Sequence, residues 1–141
     1  MSSPIDGPAD LLEAARAIRE RAYAPYSGYK VGAAARGGSG RVYPGVNVEN
    51  AAYPVGTCAE AGAIAAMVAG GDTVLAEIAV IAGGGALVTP CGACRQRIFE
   101  FGGPGVAVWA ADPGGYRRRF TADELIPLAF GPHAMAQEPS P

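Results

Sequence analysis

The chain has 141 residues, half of them apolar and only 17% charged, and its formal net charge is −2. This length predicts one domain over residues 1–141, and the low charged fraction suggests surface hidden against copies of the same chain. The acidic balance offers no basic surface for a phosphate backbone, so we expect no nucleic-acid partner. No apolar run reaches the length of a membrane span, and the N-terminus lacks a signal-peptide pattern. We therefore expect a cytoplasmic protein without a membrane partner.

The first predicted element is an amphipathic helix that follows a loose lead-in at residues 1–9. It begins at Asp10, which forms a plausible capping box with Glu13, and ends before Pro25. Apolar residues recur on one face of this helix, at Leu11, Ala14, Ala15, Ile18 and Ala22. We expect this face to pack on the core.

A β-hairpin and a second helix are predicted next. The hairpin consists of strands at 29–36 and 41–48 joined by a glycine-rich turn. Pro44 removes a backbone donor from the second strand, which therefore lies at a sheet edge or carries a bulge. An alanine-rich helix at 58–69, capped by Thr57, then ends at two glycines.

The second half of the chain begins with a segment at 73–83 that is β-branched and apolar almost throughout. Such a segment suits a central strand that is buried on both faces. The remaining predicted elements are a helix at 91–101, strands at 106–111 and 116–120, a short helix capped by Thr121 and Glu124, and a loose tail at 131–141. This order predicts an α/β fold: a three-layer αβα sandwich around a mixed five-stranded sheet.

The three cysteines fall in two short motifs, Cys58-Ala59-Glu60 and Pro90-Cys91-Gly92-Ala93-Cys94. Both motifs lie at predicted helix starts, where the helix dipole favours thiolates. Three thiolates supply three bonds of a tetrahedral zinc site and leave the fourth position for a water. Two other interpretations stay open: buried apolar packing, and a redox pair of Cys91 and Cys94 that leaves the first motif unexplained.

The two cysteine motifs, the second continuing into Arg95 and Gln96, resemble those of the zinc-dependent cytidine deaminases, in the short-chain form that binds zinc through three cysteines. Three further blocks are similar to that family in the same order: Pro25-Tyr26-Ser27-Gly28-Tyr29 with Val31-Gly32-Ala33-Ala34, Gly45 to Tyr53, and Leu125-Ile126-Pro127 with Ala129-Phe130. The resemblance implies a cytidine deaminase-like fold. It also implies one Zn²⁺ per subunit on Cys58, Cys91 and Cys94, and a homotetramer with sites shared between subunits.

The resemblance assigns the catalytic role to Glu60. In zinc deaminases a glutamate two residues after the first ligand is not a ligand but carries protons. Here Glu60 would take a proton from the zinc-bound water, which becomes a hydroxide, and pass that proton to the ring nitrogen. It would then help protonate the departing ammonia. Without the cysteines, Glu60 would be an ordinary first-turn helix glutamate.

The resemblance also implies a set of substrate-binding residues. Asn47 and Glu49 alternate with apolar neighbours at the end of a strand, and in the family such a pair binds ribose hydroxyls. By residue type alone they are equally compatible with a solvated strand end. The other residues implied are Tyr29 on the pyrimidine ring, Ala59 through its backbone at the base edge, and Tyr53 and Phe130 across subunit boundaries.

One position departs from the family pattern. Many relatives carry an arginine after Cys-Ala-Glu that offsets thiolate charge, whereas this chain has Ala61. Three thiolates around a dication leave net negative charge, so another group must compensate. Arg95 and Gln96, directly after the last cysteine, are the donors that we expect near the sulfurs, together with backbone amides at the helix starts.

The sequence therefore predicts hydrolytic deamination of cytidine and 2′-deoxycytidine to uridine and 2′-deoxyuridine, a reaction of pyrimidine salvage. An acceptor carboxylate and an amide suit a neutral diol, which favours a nucleoside over a nucleotide. One alternative is another aminopyrimidine nucleoside, such as a nucleoside antibiotic or modified cytidine. A second alternative is a non-catalytic zinc-stabilised binding module. Editing of polynucleotides is disfavoured by the acidity of the chain.

Overall fold

The computed structural model describes residues 7–85 and 87–135. Its helices and strands are α1 Ala9–Arg19, β1 Val31–Gly37, β2 Val42–Val46, α2 Ala59–Ala69, β3 Leu75–Ala82, α3 Gly92–Gly102, β4 Ala107–Ala111, β5 Arg117–Thr121 and α4 Ala122–Leu125. The five strands form one sheet in the order β2-β1-β3-β4-β5. Only the β3–β4 pair is parallel among these strands. The predicted fold class and order of elements are confirmed.

The two faces of the sheet are covered by different helices. On one face, Leu11, Leu12 and Ala15 of α1 pack against Ala34, Ala79, Ile81 and Trp109. On the other face, α2 and α3 pack against the alternate strand residues, among them Ala33, Ala35, Ile78 and Val108. Side chains alternate between the faces of a strand, so neighbouring residues of β1 and β3 serve two separate cores. The chain is thus the predicted three-layer sandwich.

The predictions for individual strands also match the structure. The centre of the sheet is β3, whose residues Ile78 to Ala82 are all buried. Pro44 lies in β2 opposite Ala34, and β2 is an edge strand, as the missing backbone donor requires. Within the described residues, no helix is both long and apolar enough to cross a membrane.

Two of the predicted N-cap residues differ from those in the structure. The residue that precedes α1 is Pro8, so Asp10 lies inside the helix, and its carboxylate accepts a hydrogen bond from Arg36 Nη2 at 2.7 Å. The residue that precedes α2 is Cys58 rather than Thr57. The predicted capping box of α4 is confirmed: the Thr121 N–H donates to the Glu124 carboxylate at 2.7 Å.

The expected loose ends are corrected where the structure describes them. Ala9 already belongs to α1, which begins directly after the N-cap residue Pro8. Pro132–Met135 forms a short 3₁₀-helix whose His133 ring meets Phe99 edge-on at 6.1 Å between ring centroids. The rest of the two expected loose segments, at 1–6 and 136–141, lies outside the described residues.

A glycine in β2 sets the distance between α2 and the sheet. A Cβ atom at Gly45 would stand 2.3 Å from the Ala63 nitrogen and 2.5 Å from the Ala59 carbonyl oxygen. Only a residue without a side chain lets the helix backbone lie this close to the strand. The contact brings the first turn of α2 beside the end of β2.

Substitution of Gly45 by alanine should destabilise the fold, because the added methyl group forces α2 away from β2. We expect the free energy of unfolding to fall by about 1–3 kcal/mol, the usual cost of overpacking. Gly105→Ala is the matched control, since a Cβ there meets no atom within 4 Å. Urea denaturation of the zinc-loaded proteins measures both effects, and equal midpoints for the two variants would contradict the prediction.

Candidate active site

The three cysteine sulfurs converge on one point. All three Sγ atoms lie within 4.8 Å of one another, and those of Cys58 and Cys91 are 3.6 Å apart. Three thiolates at 2.3 Å from a tetrahedral zinc ion would be separated by about 3.8 Å. The three cysteines are free thiols. Cys94 is buried, whereas Cys91 is exposed. This donor set and spacing fit a zinc ion that is open on one side.

Backbone pairing positions the first motif. Val48 and Thr57 exchange two backbone hydrogen bonds of 2.9 Å, so the residue before Cys58 is held against the extension of β2. Cys58 is then the N-cap residue of α2, and Cys91 is the N-cap residue of α3, with Cys94 in its first turn. The prediction that both motifs lie at helix starts is confirmed.

The surroundings shift the pKa values of the three thiols in different directions. Burial raises the pKa of Cys58 and of Cys94. For Cys91 burial also acts toward a higher pKa, but hydrogen bonds from the Cys94 backbone N–H and from neighbouring thiols lower it. Of the groups at the start of α3, the backbone N–H of Cys94 contributes to the lowered pKa of Cys91. A coordinated cation removes the proton at the other two positions.

The carboxyl of Glu60 is buried beside this cluster. Glu60 is the second residue of α2, is 4% exposed, and lines the same cavity as Cys58 and Cys91. Burial raises the pKa of Glu60, while its own backbone N–H and the positive charge of Arg97 act in the opposite direction. A carboxyl with this environment can hold a proton for part of a reaction cycle.

A cavity of about 580 Å³ opens above the cluster, a volume typical of sites for small organic ligands. Its lining includes most of the residues that the sequence predicted for the site: Tyr29, Asn47, Glu49, Tyr53, Cys58, Ala59, Glu60 and Cys91. The backbone of the chain thus brings four separate sequence blocks to one cavity.

Asn47 and Glu49 both hold the segment that carries Tyr29. The Asn47 carboxamide accepts from the Val31 N–H and donates to the Tyr29 carbonyl, each at 2.8 Å. The Glu49 carboxylate accepts from the backbone N–H groups of Tyr26 and Ser27 at 2.9 and 3.1 Å, and from the Ser27 hydroxyl. Ser27 was missed as a site residue, although it lies within the block at 25–34.

Besides Cys94, three predicted residues lie outside the cavity lining: Arg95, Gln96 and Phe130. Arg95 donates to the carbonyls of Pro90 and Leu125 at 2.7 Å and to Thr89 Oγ1 at 2.8 Å. Gln96 donates to the carbonyl of Phe130, whose ring is at the surface. Arg95 therefore braces the loop before Cys91, and Gln96 ties the C-terminal segment to α3.

Sequence reasoning also missed Arg97. Its Nη1 atom lies 3.6 Å from Cys94 Sγ, so this side chain, and not that of Arg95, reaches a sulfur. The signal was present in the sequence, because residues three apart on a helix are neighbours on its surface. The guanidinium of Arg95 instead donates to oxygen acceptors of Pro90, Thr89 and Leu125.

A buried carboxyl beside three converging thiols, on an αβα sandwich, defines the site of a zinc-dependent hydrolase. The chain matches the family model described as "Cytidine and deoxycytidylate deaminase zinc-binding region" over residues 8–110. The chain therefore belongs to the family of zinc-binding cytidine and deoxycytidylate deaminases.

Individual relatives agree with the family model. A cytidine deaminase of Sporosarcina psychrophila is 39% identical over 85% of this chain and 88% of its own length. One from Mycobacterium tuberculosis is 41% identical over 78% of this chain and 79% of its own length. The crystal structure of cytidine deaminase from Burkholderia pseudomallei superposes with a TM-score of 0.84 at 44% identity, covering 88% of this chain and 99% of that one.

The Glu49 contacts predict a pH-dependent contribution to stability. Hydrogen bonds from the Ser27 hydroxyl and from two backbone N–H groups hold the pKa of Glu49 below its usual value. A lowered folded-state pKa stabilises the fold above the unfolded-state value of about 4.3, and this contribution is lost as the pH falls through the folded-state value. Wild type should therefore exceed Glu49→Gln in stability at neutral pH, and the gap should close in acid.

Urea midpoints of the two proteins at matched zinc concentrations, from about pH 7 to about pH 3, measure this gap. Ser27→Ala is the companion variant. Loss of the Ser27 hydroxyl should raise the pKa of Glu49, so the stability of this variant should begin to decline at a higher pH than that of wild type. A gap between wild type and Glu49→Gln that does not change with pH would contradict the assignment.

Proposed function

We propose that this chain hydrolyses cytidine and 2′-deoxycytidine to uridine and 2′-deoxyuridine with release of ammonia, as an enzyme of pyrimidine salvage. The observation that carries the proposal is the buried carboxyl of Glu60 in the same cavity as three thiols with zinc-site spacing. A purely structural metal site needs neither that carboxyl nor the cavity.

The chemistry divides between the metal and Glu60. Zinc bound to Cys58, Cys91 and Cys94 supplies a Lewis acid that lowers the pKa of a ligand water to about 7. Glu60 accepts the proton of the attacking water and delivers it to N3 of the pyrimidine. It then transfers the remaining proton of the hydroxyl now bonded to C4 to the amino group, which leaves as ammonia while the C4 carbonyl forms. Burial of the carboxyl keeps it able to hold each proton between these transfers.

Asn47 and Glu49 are proposed to bind the ribose hydroxyls. A carboxylate has about four acceptor positions and an amide group about two donor and two acceptor positions. The internal contacts of Glu49 use three of its positions, and those of Asn47 use one donor and one acceptor. Both side chains therefore keep capacity for a hydroxyl, while their internal contacts hold them in place.

Three further residues of the lining complete the proposed substrate site. Tyr29 is proposed to pack on the pyrimidine ring, the Ala59 backbone to contact the base edge, and Tyr53 to act across a subunit boundary. The charged residues of this chain that line the cavity, Glu49 and Glu60, are both acidic. Negative charge repels a phosphate group, which supports a nucleoside rather than a nucleotide as substrate.

A related nucleoside is the second candidate substrate. Tyr29 carries a hydroxyl where the family usually has phenylalanine, and its side chain lines the cavity. This polar group changes the surface that meets the base. A nucleoside antibiotic or a modified cytidine is therefore the alternative to be assayed beside cytidine.

We further propose a homotetramer that shares sites between subunits and works in the cytoplasm. The support is a set of exposed apolar side chains near the cavity mouth and on the C-terminal segment: Tyr53 is 78% exposed, Phe130 61% and Leu128 fully exposed. Apolar surface of this kind marks an interface. Thiols that are not cross-linked suit a reducing compartment.

The proposed function is tested with Glu60→Gln, which keeps the shape of the side chain and removes its proton-carrying group. We expect ammonia release from cytidine to fall by at least about 100-fold while zinc content stays at one per chain. Cytidine 5′-monophosphate and modified cytidines serve as comparison substrates. If the wild-type protein binds zinc but releases no ammonia from any of these substrates, the proposed activity is refuted and the zinc-stabilised binding module is the interpretation that remains.

The assembly is tested by the mass of the zinc-loaded protein in solution. We expect four times the 14.2 kDa of the chain in sedimentation equilibrium. Phe130→Asp should produce smaller species, because it places a charge at the proposed interface, and Tyr116→Asp in the β4–β5 turn is the matched aromatic control. A wild-type monomer would refute shared sites.

A further inference from the structure

The proposed zinc centre has a charge that the protein must balance. Three thiolates and one dication carry a net charge of −1, and Glu60 adds a carboxyl beside them. Excess negative charge at the ligands weakens the Lewis acidity of the metal, so cationic or hydrogen-bonding partners of the sulfurs tune such a site. The first turn of α2 offers no cation, because Ala61 follows Glu60.

Two side chains beside the last cysteine are already committed elsewhere. Each of the three Arg95 nitrogens is bonded to an oxygen at 2.7 or 2.8 Å. Gln96 is uncharged and donates to a backbone carbonyl of the C-terminal segment. Neither side chain supplies positive charge directly to a sulfur.

Arg97 has the geometry to do so. It lies one helical turn after Cys94 on α3, and its Nη1 atom is 3.6 Å from Cys94 Sγ. Cys94 itself is fully buried, so its sulfur reaches no bulk water that could solvate a thiolate charge. A donor from the guanidinium takes the place of that water.

We propose that Arg97 is a positioning residue of the metal centre, whose guanidinium donates a hydrogen bond to the Cys94 thiolate and offsets part of the negative charge around the zinc. The proposal rests on the zinc site of the proposed function. A hydrogen bond draws electron density from the sulfur, which leaves the metal more electrophilic. Arg97 is itself exposed, so solvent screens its charge, and its effect on the sulfur is that of a hydrogen-bond donor rather than of a buried ion pair.

The test compares Arg97→Gln and Arg97→Lys with wild type. Arg16→Gln is the matched control, since Arg16 belongs to α1 on the opposite face of the sheet. Competition with a chelator should show zinc held about tenfold less tightly by Arg97→Gln, the lower end of the effect of removing a partner of a metal ligand. Arg97→Lys keeps a charged donor and should fall between, and Arg16→Gln should equal wild type.

A spectroscopic readout separates this role from a merely structural one. In the cobalt-substituted proteins, loss of a hydrogen bond to a thiolate makes the sulfur a better electron donor. The sulfur-to-cobalt charge-transfer band of Arg97→Gln should therefore move to longer wavelength. An unshifted band, or unchanged zinc affinity, would overturn the proposal, and if Arg97→Gln fails to fold, Arg97→Lys decides by the same two measurements.

Neither measurement uses cytidine turnover. A protein that shows both effects but does not deaminate cytidine would refute the proposed function and leave the role of Arg97 intact. A fully active protein in which both variants match wild type would refute the role of Arg97 alone.

Discussion

Three sulfur atoms that repel one another when ionised must meet at one point, and this requirement shapes the architecture around them. Two of the sulfurs come from the N-cap residues of different helices, and the third lies one turn into the second helix. The two helices cover the same face of the sheet, so their N-termini can open toward one cavity. A cation at that point removes the repulsion and makes the geometry favourable.

The position of this point depends on close backbone contacts. At Gly45 the strand and helix α2 approach so closely that no side chain fits, and the paired backbone groups of Val48 and Thr57 hold the entry to the helix. The end of β2 with Asn47 and Glu49 therefore lies along the same cavity as Cys58. The internal hydrogen bonds of these two side chains fix the segment with Tyr29 before any ligand arrives. Under the proposed function, a site held in this way would lose little conformational entropy on binding.

Acidic and basic side chains lie in different places around the cavity. The charged residues of the cavity lining are acidic, whereas Arg95 and Arg97 lie outside that lining and contact the Pro90 carbonyl and Cys94 Sγ. Arg95 acts on backbone carbonyls, which places the loop, and Arg97 acts on a sulfur. Two arginines separated by one residue on the same helix thus have different tasks, because successive positions on a helix point in different directions.

The sequence by itself determined the class of fold, the order of the elements and the zinc ligands. Apolar periodicity, the position of Pro44 and the spacing of the cysteines are local properties, so they can be read without coordinates. The caps of α1 and α2 were mispredicted by one or two residues, since a helix start depends on the packing of its first turn and not only on the residue types present. Helical spacing alone allows Arg97 to reach Cys94, but only the tertiary structure decided that Arg95 contacts Pro90 and Leu125 instead. Only the tertiary structure also decided which groups Glu49 and Asn47 contact, and how deeply Glu60 is buried. These are distances between residues that are remote in the chain, or rotations of one helix against its neighbours, and a linear pattern contains no record of either.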